Sequence, residues 1–336
     1  MTAKHRQWLI TGGCGFIGRN LVRRILRETS DRIRIFDNES VGTRDELFAA
    51  LQDLPGDHSA RLDCMRGDVR EQTPLIDAAR DCDAIVHLAA NTGVPASVED
   101  PLADCTTNVL GTLHCLEAAR NHHVTHFVFA SSGAATGECT PPVHEEVVPH
   151  PCSPYGASKL AGEGYCSVYW HLHNIRTVVL RFGNVYGPYR SHKSSVVAKF
   201  IRQALQGIPC EIYGDGTQTR DFIYVEDLTS AVLKASELDH GGEIFQIATS
   251  KEHTVNEVAE YIKQELAARG KEMVIRHTRP RKGDIQRNYS DTSKANCALN
   301  WQSTVAIAKG MGITTQSWIQ AKQGPSRTTP GQGNDR

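Results

Sequence analysis

Residues 8–18 read WLITGGCGFIG: the short run Trp8–Thr11 meets glycines at 12, 13, 15 and 18. An apolar run of that length, ended by glycine, reads as a buried strand. FIGRNLVRRILRE at 16–28 has helical length and a helical apolar repeat. Strand, glycine turn and helix in that order set a positive helix N-terminus beside a backbone able to approach a pyrophosphate. Gly12, Gly15 and Gly18 are spaced three apart, a variant of the commoner G-x-G-x-x-G turn with the same physics. Nineteen residues after Gly18, Asp37 ends the run IRIFD (33–37). A carboxylate there accepts hydrogen bonds from ribose hydroxyls and repels a 2′-phosphate, so the reading is a dinucleotide site that prefers NAD to NADP. Arg34 and Arg44, on either side of Asp37, are the residues that weigh against it.

The same rhythm continues outward. AIVHLA (84–89), HFVFAS (126–131) and TVVLRF (177–182) read as further buried strands, separated by the helical stretches TPLIDAAR, 108–119 and the segment after Tyr155. Alternation of that kind implies a parallel sheet with helices on both faces. The expected fold is α/β: a Rossmann-type doubly wound parallel sheet with a smaller, mixed α/β C-terminal substrate lobe. Residues 1–182 are assigned to the NAD-binding domain, with later strands returning to it around 223–248. Residues 183–322 are assigned mainly to the lobe, interleaved with it. There the turn YGDGTQ (213–218) breaks the rhythm before helical stretches at 225–236, 255–268 and 304–320. Residues 323–336, polar and rich in Gly and Pro, read as a disordered tail.

Composition narrows the function. The chain has 336 residues, 40% of them hydrophobic and 22% charged, with a formal net charge of −1. That balance offers no basic field for nucleic acid or anionic membrane. The ten cysteines form no C-x-x-C pair, and no metal site is expected. No signal peptide and no apolar run of membrane-spanning length are read, so the expected location is the cytoplasm.

Tyr155-Gly-Ala-Ser-Lys159 carries the chemistry. Residues four apart stack on one face of a helix. A free tyrosine titrates near ~10, too high for a base at neutral pH, and a neighbouring cation lowers it. Such a pair can take a proton from an alcohol while a hydride leaves the same carbon. Gly12, Gly15, Phe16, Ile17 and Gly18, with Asp37 and Asn38, are the candidates for holding the hydride acceptor. Gly67-Asp68-Val69 either edges the adenine or is a plain turn.

TGGCGFIG, HLAA (87–90), ASSG (130–133), YGASK, RFGNVYGP (181–188) and RDFIYVEDL (220–228) stand in this order. With them the chain resembles the extended short-chain dehydrogenase/reductases, most closely their NAD-dependent sugar-nucleotide epimerase/dehydratase branch. The resemblance spans residues 7–320. It implies that Ser132, with Ser131 as the adjacent alternative, completes a triad with Tyr155 and Lys159. It places Leu88, Ala89, Ala90 and Asn108 along the cofactor. It puts Asn184, Arg220 and Arg281 on the substrate diphosphate or uridine, Asp284 on the uridine ribose, and Asn288 on the sugar-pocket wall. Arg190 and Lys193, beside His192, form a basic loop near the sugar that either holds a hexuronate carboxylate or faces solvent.

Gly133-Ala134 occupy the place where the dehydratases of that branch carry an Asp-Glu pair, and the decarboxylating members a Glu after the Ser or Thr. The resemblance therefore implies a UDP-sugar 4-epimerase working through a transient 4-keto form, with a homodimer built on helices 101–119 and 155–173. A related dehydratase or dehydrogenase, or a non-catalytic NAD-binding regulator, is the alternative. Thr136 replaces the usual Tyr of this loop, a change expected to reshape the sugar pocket.

Overall fold

The computed structural model describes residues 5–189, 195–280 and 285–323. From the N-terminus come β1 (Gln7–Thr11), α1 (Phe16–Glu28), β2 (Arg32–Asp37), α2 (Arg44–Leu51), β3 (Leu62–Arg66), α3 (Gln72–Ala78) and β4 (Ala84–His87). Short helices α4 (Val94–Glu99) and α5 (Pro101–Cys105) follow. A wide π turn over Thr106–Leu110 joins α5 to α6 (Gly111–Asn121). Then come β5 (His126–Ser132), the long α7 (Pro154–His173) and β6 (Arg176–Phe182).

These elements form one parallel sheet in the order β3-β2-β1-β4-β5-β6, extended by a strand that arrives later in the chain. The order reverses between β1 and β4, so a crevice opens at the carboxyl ends of those strands. Period-two alternation of apolar side chains feeds two cores. Ile10, Ile35, Val86, Val128 and Leu180 pack with α1 on one face. Leu9, Phe36, Ile85, Phe127, Phe129 and Val179 pack with α3, α6 and α7 on the other.

The second lobe begins with β7 (Asn184–Tyr186), α8 (Val196–Leu205), β8 (Cys210–Tyr213), β9 (Thr219–Arg220) and β10 (Phe222–Tyr224). The chain then returns through α9 (Val225–Ala235), packed on α1, to β11 (Glu243–Ile247), which pairs with β6 as the seventh strand of the main sheet. It leaves again as β12 (His253–Thr254), α10 (Val255–Ala267) and β13 (Ile275–Thr278), and closes with α11 (Ser293–Leu299) and α12 (Ile307–Gln323). Phe200, Ile201, Ile212, Phe222, Val258, Ile262 and Met311 make the lobe's own core. Thus β10 belongs to the lobe, paired with β7, and Gln323 closes α12. Among the described residues no helix is long and apolar enough to cross a membrane.

Candidate functional site

A cleft of about 1060 Å³ runs from the β1–α1 turn, past the ends of β4 and β5, to α8 and β8 in the lobe. At its first end Gly12 adopts φ 71°, a left-handed conformation, and a Cβ there would lie 2.7 Å from the Ala89 nitrogen. Gly15 is the N-cap of α1 and makes no side-chain cap bond, so the start of the helix, which lines the cleft, carries no capping side chain. Asp37 accepts from the backbone N–H of Cys14 (2.9 Å) and of Glu39 (2.8 Å), one bond to each oxygen. Burial pushes its carboxyl pKa up and these two bonds oppose it. Asn38 donates to Asp68 at 2.8 Å, and Arg70, bonded to both Asp68 oxygens, holds that carboxyl well below the usual range.

This half fits a dinucleotide on its own geometry: a glycine cradle, an uncapped helix start and a fixed carboxylate. Phe16, Ile17, Gly18, Val69, Leu88, Ala89 and Ala90 line it as well. Arg19, not singled out from sequence, also lines it, with its Nε buried and unpartnered and Glu46 3.5 Å from its guanidinium.

Tyr155 and Lys159 line the middle of the cleft with Ser131 and Ser132. Ser153 caps α7, accepting from the Gly156 N–H at 3.1 Å, and Pro154 occupies the first turn. The helix so fixed projects Tyr155 towards Ser132, with which it shares a hydrogen bond. Ser132 Oγ in turn accepts from the Ala134 N–H at 3.2 Å. The Lys159 ammonium lies 6.0 Å from the Tyr155 ring centre and donates to the Ala130 carbonyl at 2.9 Å.

Electrostatics here depart from the sequence expectation. Burial pushes the Tyr155 phenol up, the Ser132 bond pulls it back, and the Asp104 carboxylate pushes it up again. Lys159, expected to lower the phenol, lies close to its ring, and burial is the largest influence on the phenol. Its own pKa falls to about 8, chiefly by burial. Desolvation outweighs the pairwise attraction that helical spacing suggests.

The floor beneath the pair is polar and tightly bonded. Glu163, two turns after Tyr155 on α7, takes a bidentate bond from Arg181 (2.9 and 2.7 Å) and a bond from the Ser131 hydroxyl. Both members of that ion pair are almost wholly buried. His87, at the end of β4, bonds Thr11 (2.7 Å) and Thr112 (3.0 Å), and burial pushes its pKa down to about 3.

Two expected contacts lie elsewhere. Asn108 does not line the cleft. It is 1% exposed, and its amide is committed to Asn91, Asp104 and Ser158. The π turn rotates it behind the wall, so Asn91 and Thr107 line the cleft in its place. Asn288 is likewise absent from the lining; it lies in the segment whose neighbours Gln286 and Tyr289 bond the backbone of Thr219 and Val143. Thr136 is 1% exposed and lines no part of the cleft, so it does not touch the pocket it was expected to reshape.

At the far end, Asn184 and Arg220 line the cleft. An Arg220 guanidinium nitrogen donates to the carbonyls of Thr219 (2.7 Å) and Ile285 (2.6 Å). Arg190, Lys193, Arg281 and Asp284 lie outside the described residues. Lys199, Arg202 and Gln203 of α8, with Glu211 and Tyr213 of β8, line this end and were not read from sequence. The available signal was the spacing of Lys199 and Arg202, three apart on an amphipathic helix. Lys199 sits 3.9 Å from Glu211 and 5.1 Å from the Tyr213 ring centre. With Arg202 and Arg220 it gives this end a positive excess suited to a phosphorylated ligand.

Among the described residues no group of His, Cys, Asp and Glu is placed to hold a metal ion. Residues 8–248 match the profile of the NAD dependent epimerase/dehydratase family. A putative UDP-glucose 4-epimerase of Methanocaldococcus jannaschii is 36% identical over 310 residues, 90% of this chain and 95% of that protein. A dTDP-glucose 4,6-dehydratase of Streptomyces niveus is 31% identical, over 97% of this chain and 98% of its own. The solved UDP-glucose 4-epimerase of Thermus thermophilus, in complex with NAD, superposes with a TM-score of 0.83 at 33% identity, covering 94% of this chain and 99% of that one.

Proposed function

The chain belongs to the NAD dependent epimerase/dehydratase family, and from that premise we propose that it inverts C4 of a UDP-sugar through a transient 4-keto form. Its cofactor is NAD. Gly12, Gly15, Asp37 and Asn38 would hold the dinucleotide, and Lys159 its nicotinamide ribose. Bound NAD supplies a hydride acceptor, and the positive charge of its oxidised ring favours a phenolate at Tyr155 against the upward push of burial. Tyr155 takes the proton of the C4 hydroxyl and returns it once the sugar has presented its other face. Ser132, already bonded to Tyr155, orients that hydroxyl. Asn184, Arg220, Lys199 and Arg202 anchor the nucleotide diphosphate while the sugar turns. In this reading the sheet domain carries the cofactor and the lobe carries the nucleotide sugar.

The observation that carries the choice of reaction is the placing of carboxylates. Among the described residues lining the cleft they are Asp37, Asp68 and Glu211, all away from Tyr155. A Cβ at Gly133 would meet nothing within 4 Å, so the loop beside Tyr155 has room for a side chain and bears no acid. Proton and hydride exchange at C4 needs no further acid; elimination of water does.

The test is to incubate the purified protein with UDP-glucose, UDP-N-acetylglucosamine and UDP-glucuronate and resolve the products by NMR. The expected result is a C4 epimer of one of them with no net consumption of NAD. A 4-keto-6-deoxy product would replace this reading with dehydration, and stoichiometric NADH with oxidation. NAD binding without turnover on any of the three would favour a regulator. Tyr155→Phe should keep its NAD and lose roughly 10²–10⁴-fold in turnover.

The proposed assembly is a homodimer. Leu102 is 77% and Leu172 70% exposed, and Val98, Leu110 and Val168 extend the same apolar surface over α4 to α7. A surface of that kind usually meets a partner. Sedimentation at micromolar concentration should give twice the chain mass; a single 37.0 kDa species would remove the dimer.

A further inference from the structure

Asp104 is a buried carboxylate that the mechanism above does not use. It sits on α5, 2% exposed, packed against α7. One oxygen accepts from the Asn108 amide at 2.8 Å; the other, Oδ1, is buried with no hydrogen-bond partner. The same Asn108 amide bonds the Asn91 carbonyl (2.9 Å) and the Ser158 hydroxyl (3.2 Å). Ser158 in turn donates to the Tyr155 carbonyl at 3.0 Å. An unpaired buried carboxylate is costly, so its persistence beside the reactive pair calls for a compensating charge.

We propose that Asp104 is a positioning residue for Tyr155 and Lys159, holding the first turn of α7 through Asn108 and Ser158 and balancing the buried ammonium with its own charge. The inference rests on the reading of those two residues as the proton-handling pair.

The other charged and titratable groups nearby do not take this part. His87 on β4 is held neutral by burial. Glu163 on α7 also raises the Lys159 ammonium, but its charge is matched by Arg181 of β6 and it does not act on Tyr155. Cys166 on α7 and Cys115 on α6 are pushed above the ordinary thiol range by burial. Glu117 of α6 is committed to Arg120 and Tyr169, and Glu99 of α4 is exposed. Asp104 alone acts on both members: its charge raises the Tyr155 phenol and raises the Lys159 ammonium against desolvation.

The sign of the consequence is fixed. Removing the charge lowers both pKa values. The acid limb of kcat/KM, where Tyr155 gains its proton, moves to lower pH. The alkaline limb, where Lys159 loses its proton, moves the same way. The active window slides downward as a whole, while a packing defect lowers its height and leaves its position.

The experiment is the pH profile of holoenzyme carrying Asp104→Asn or the smaller Asp104→Ser. An Asn side chain can keep the bond to Asn108 through its carbonyl oxygen. The expected result is several-fold higher kcat/KM than wild type at the foot of the acid limb and several-fold lower at the alkaline end, with a similar plateau. Limbs that stay in place overturn the proposal, and so does loss of the fold in both variants, since the residue is then structural. Should Tyr155→Phe abolish turnover while the limbs of the Asp104 variants stay put, only this inference fails. Should Tyr155→Phe turn over normally, the underlying reading fails first.

Discussion

The two halves of the cleft are built differently. At the cofactor half, contacts come from the backbone: the Gly12 turn, the uncapped start of α1, and N–H groups fixing Asp37. At the lobe half they come from long side chains, Lys199 and Arg202 on α8 and Arg220 on β9. Backbone contacts are set by the fold and leave no freedom to lose on binding. Long cationic side chains must be ordered by the ligand, which costs about 0.5–1.5 kcal/mol for each one immobilised. One half is therefore suited to a resident cofactor and the other to a ligand that arrives and leaves.

The sharpest way to break that contrast is Gly12→Ala. A Cβ there meets the Ala89 backbone at 2.7 and 2.9 Å, and φ 71° is disfavoured for any side chain. Neither obstacle is a flexible side-chain end, so the turn itself has to shift. The expected cost is about 1–3 kcal/mol of stability. The more telling readout is composition: the purified variant should carry well under one NAD per chain. A variant that melts like wild type and retains its NAD would show that the turn is not held by backbone packing.

How much of each half was legible in sequence follows from the same difference. A backbone cradle demands glycine at set intervals, and Gly12, Gly15 and Gly18 announced both the turn and α1, whose bounds Phe16–Glu28 coincide with the helical stretch read from the sequence. Asp37 was legible because strand length fixes its distance from that turn. Lys199 and Arg202 were not, because an amphipathic helix with cations on its polar face looks the same whether that face meets solvent or a cleft. Asn108, placed along the cofactor by resemblance alone, lies behind the wall for a local reason that no motif announces: the π turn alters the helical phase at that point. The Tyr155–Lys159 spacing was readable, yet the direction of the phenol's shift depends on burial and on Asp104, fifty-one positions earlier. Pattern reaches as far as period and spacing; desolvation belongs to the packed molecule.

A smaller effect sharpens the contrast from the other side. Arg220→Ala removes one cation from a half where Lys199 and Arg202 remain. If lobe contacts are side chains added one by one, KM for the nucleotide sugar should rise about tenfold, the equivalent of ~1.4 kcal/mol, with kcat nearly unchanged and NAD content intact. A contact made equally in ground and transition state behaves this way. Arg220 also donates to the Thr219 and Ile285 carbonyls, so a modest fall in melting temperature should accompany the change. The two contributions separate through Arg220→Lys, which keeps the charge and gives up the planar fork. Recovery of KM by Lys assigns the effect to charge on the ligand. Failure to recover, with a lowered melting temperature in both variants, assigns it to the bridge between β9 and the 285–290 segment, and the lobe half would then be held by backbone as firmly as the cofactor half.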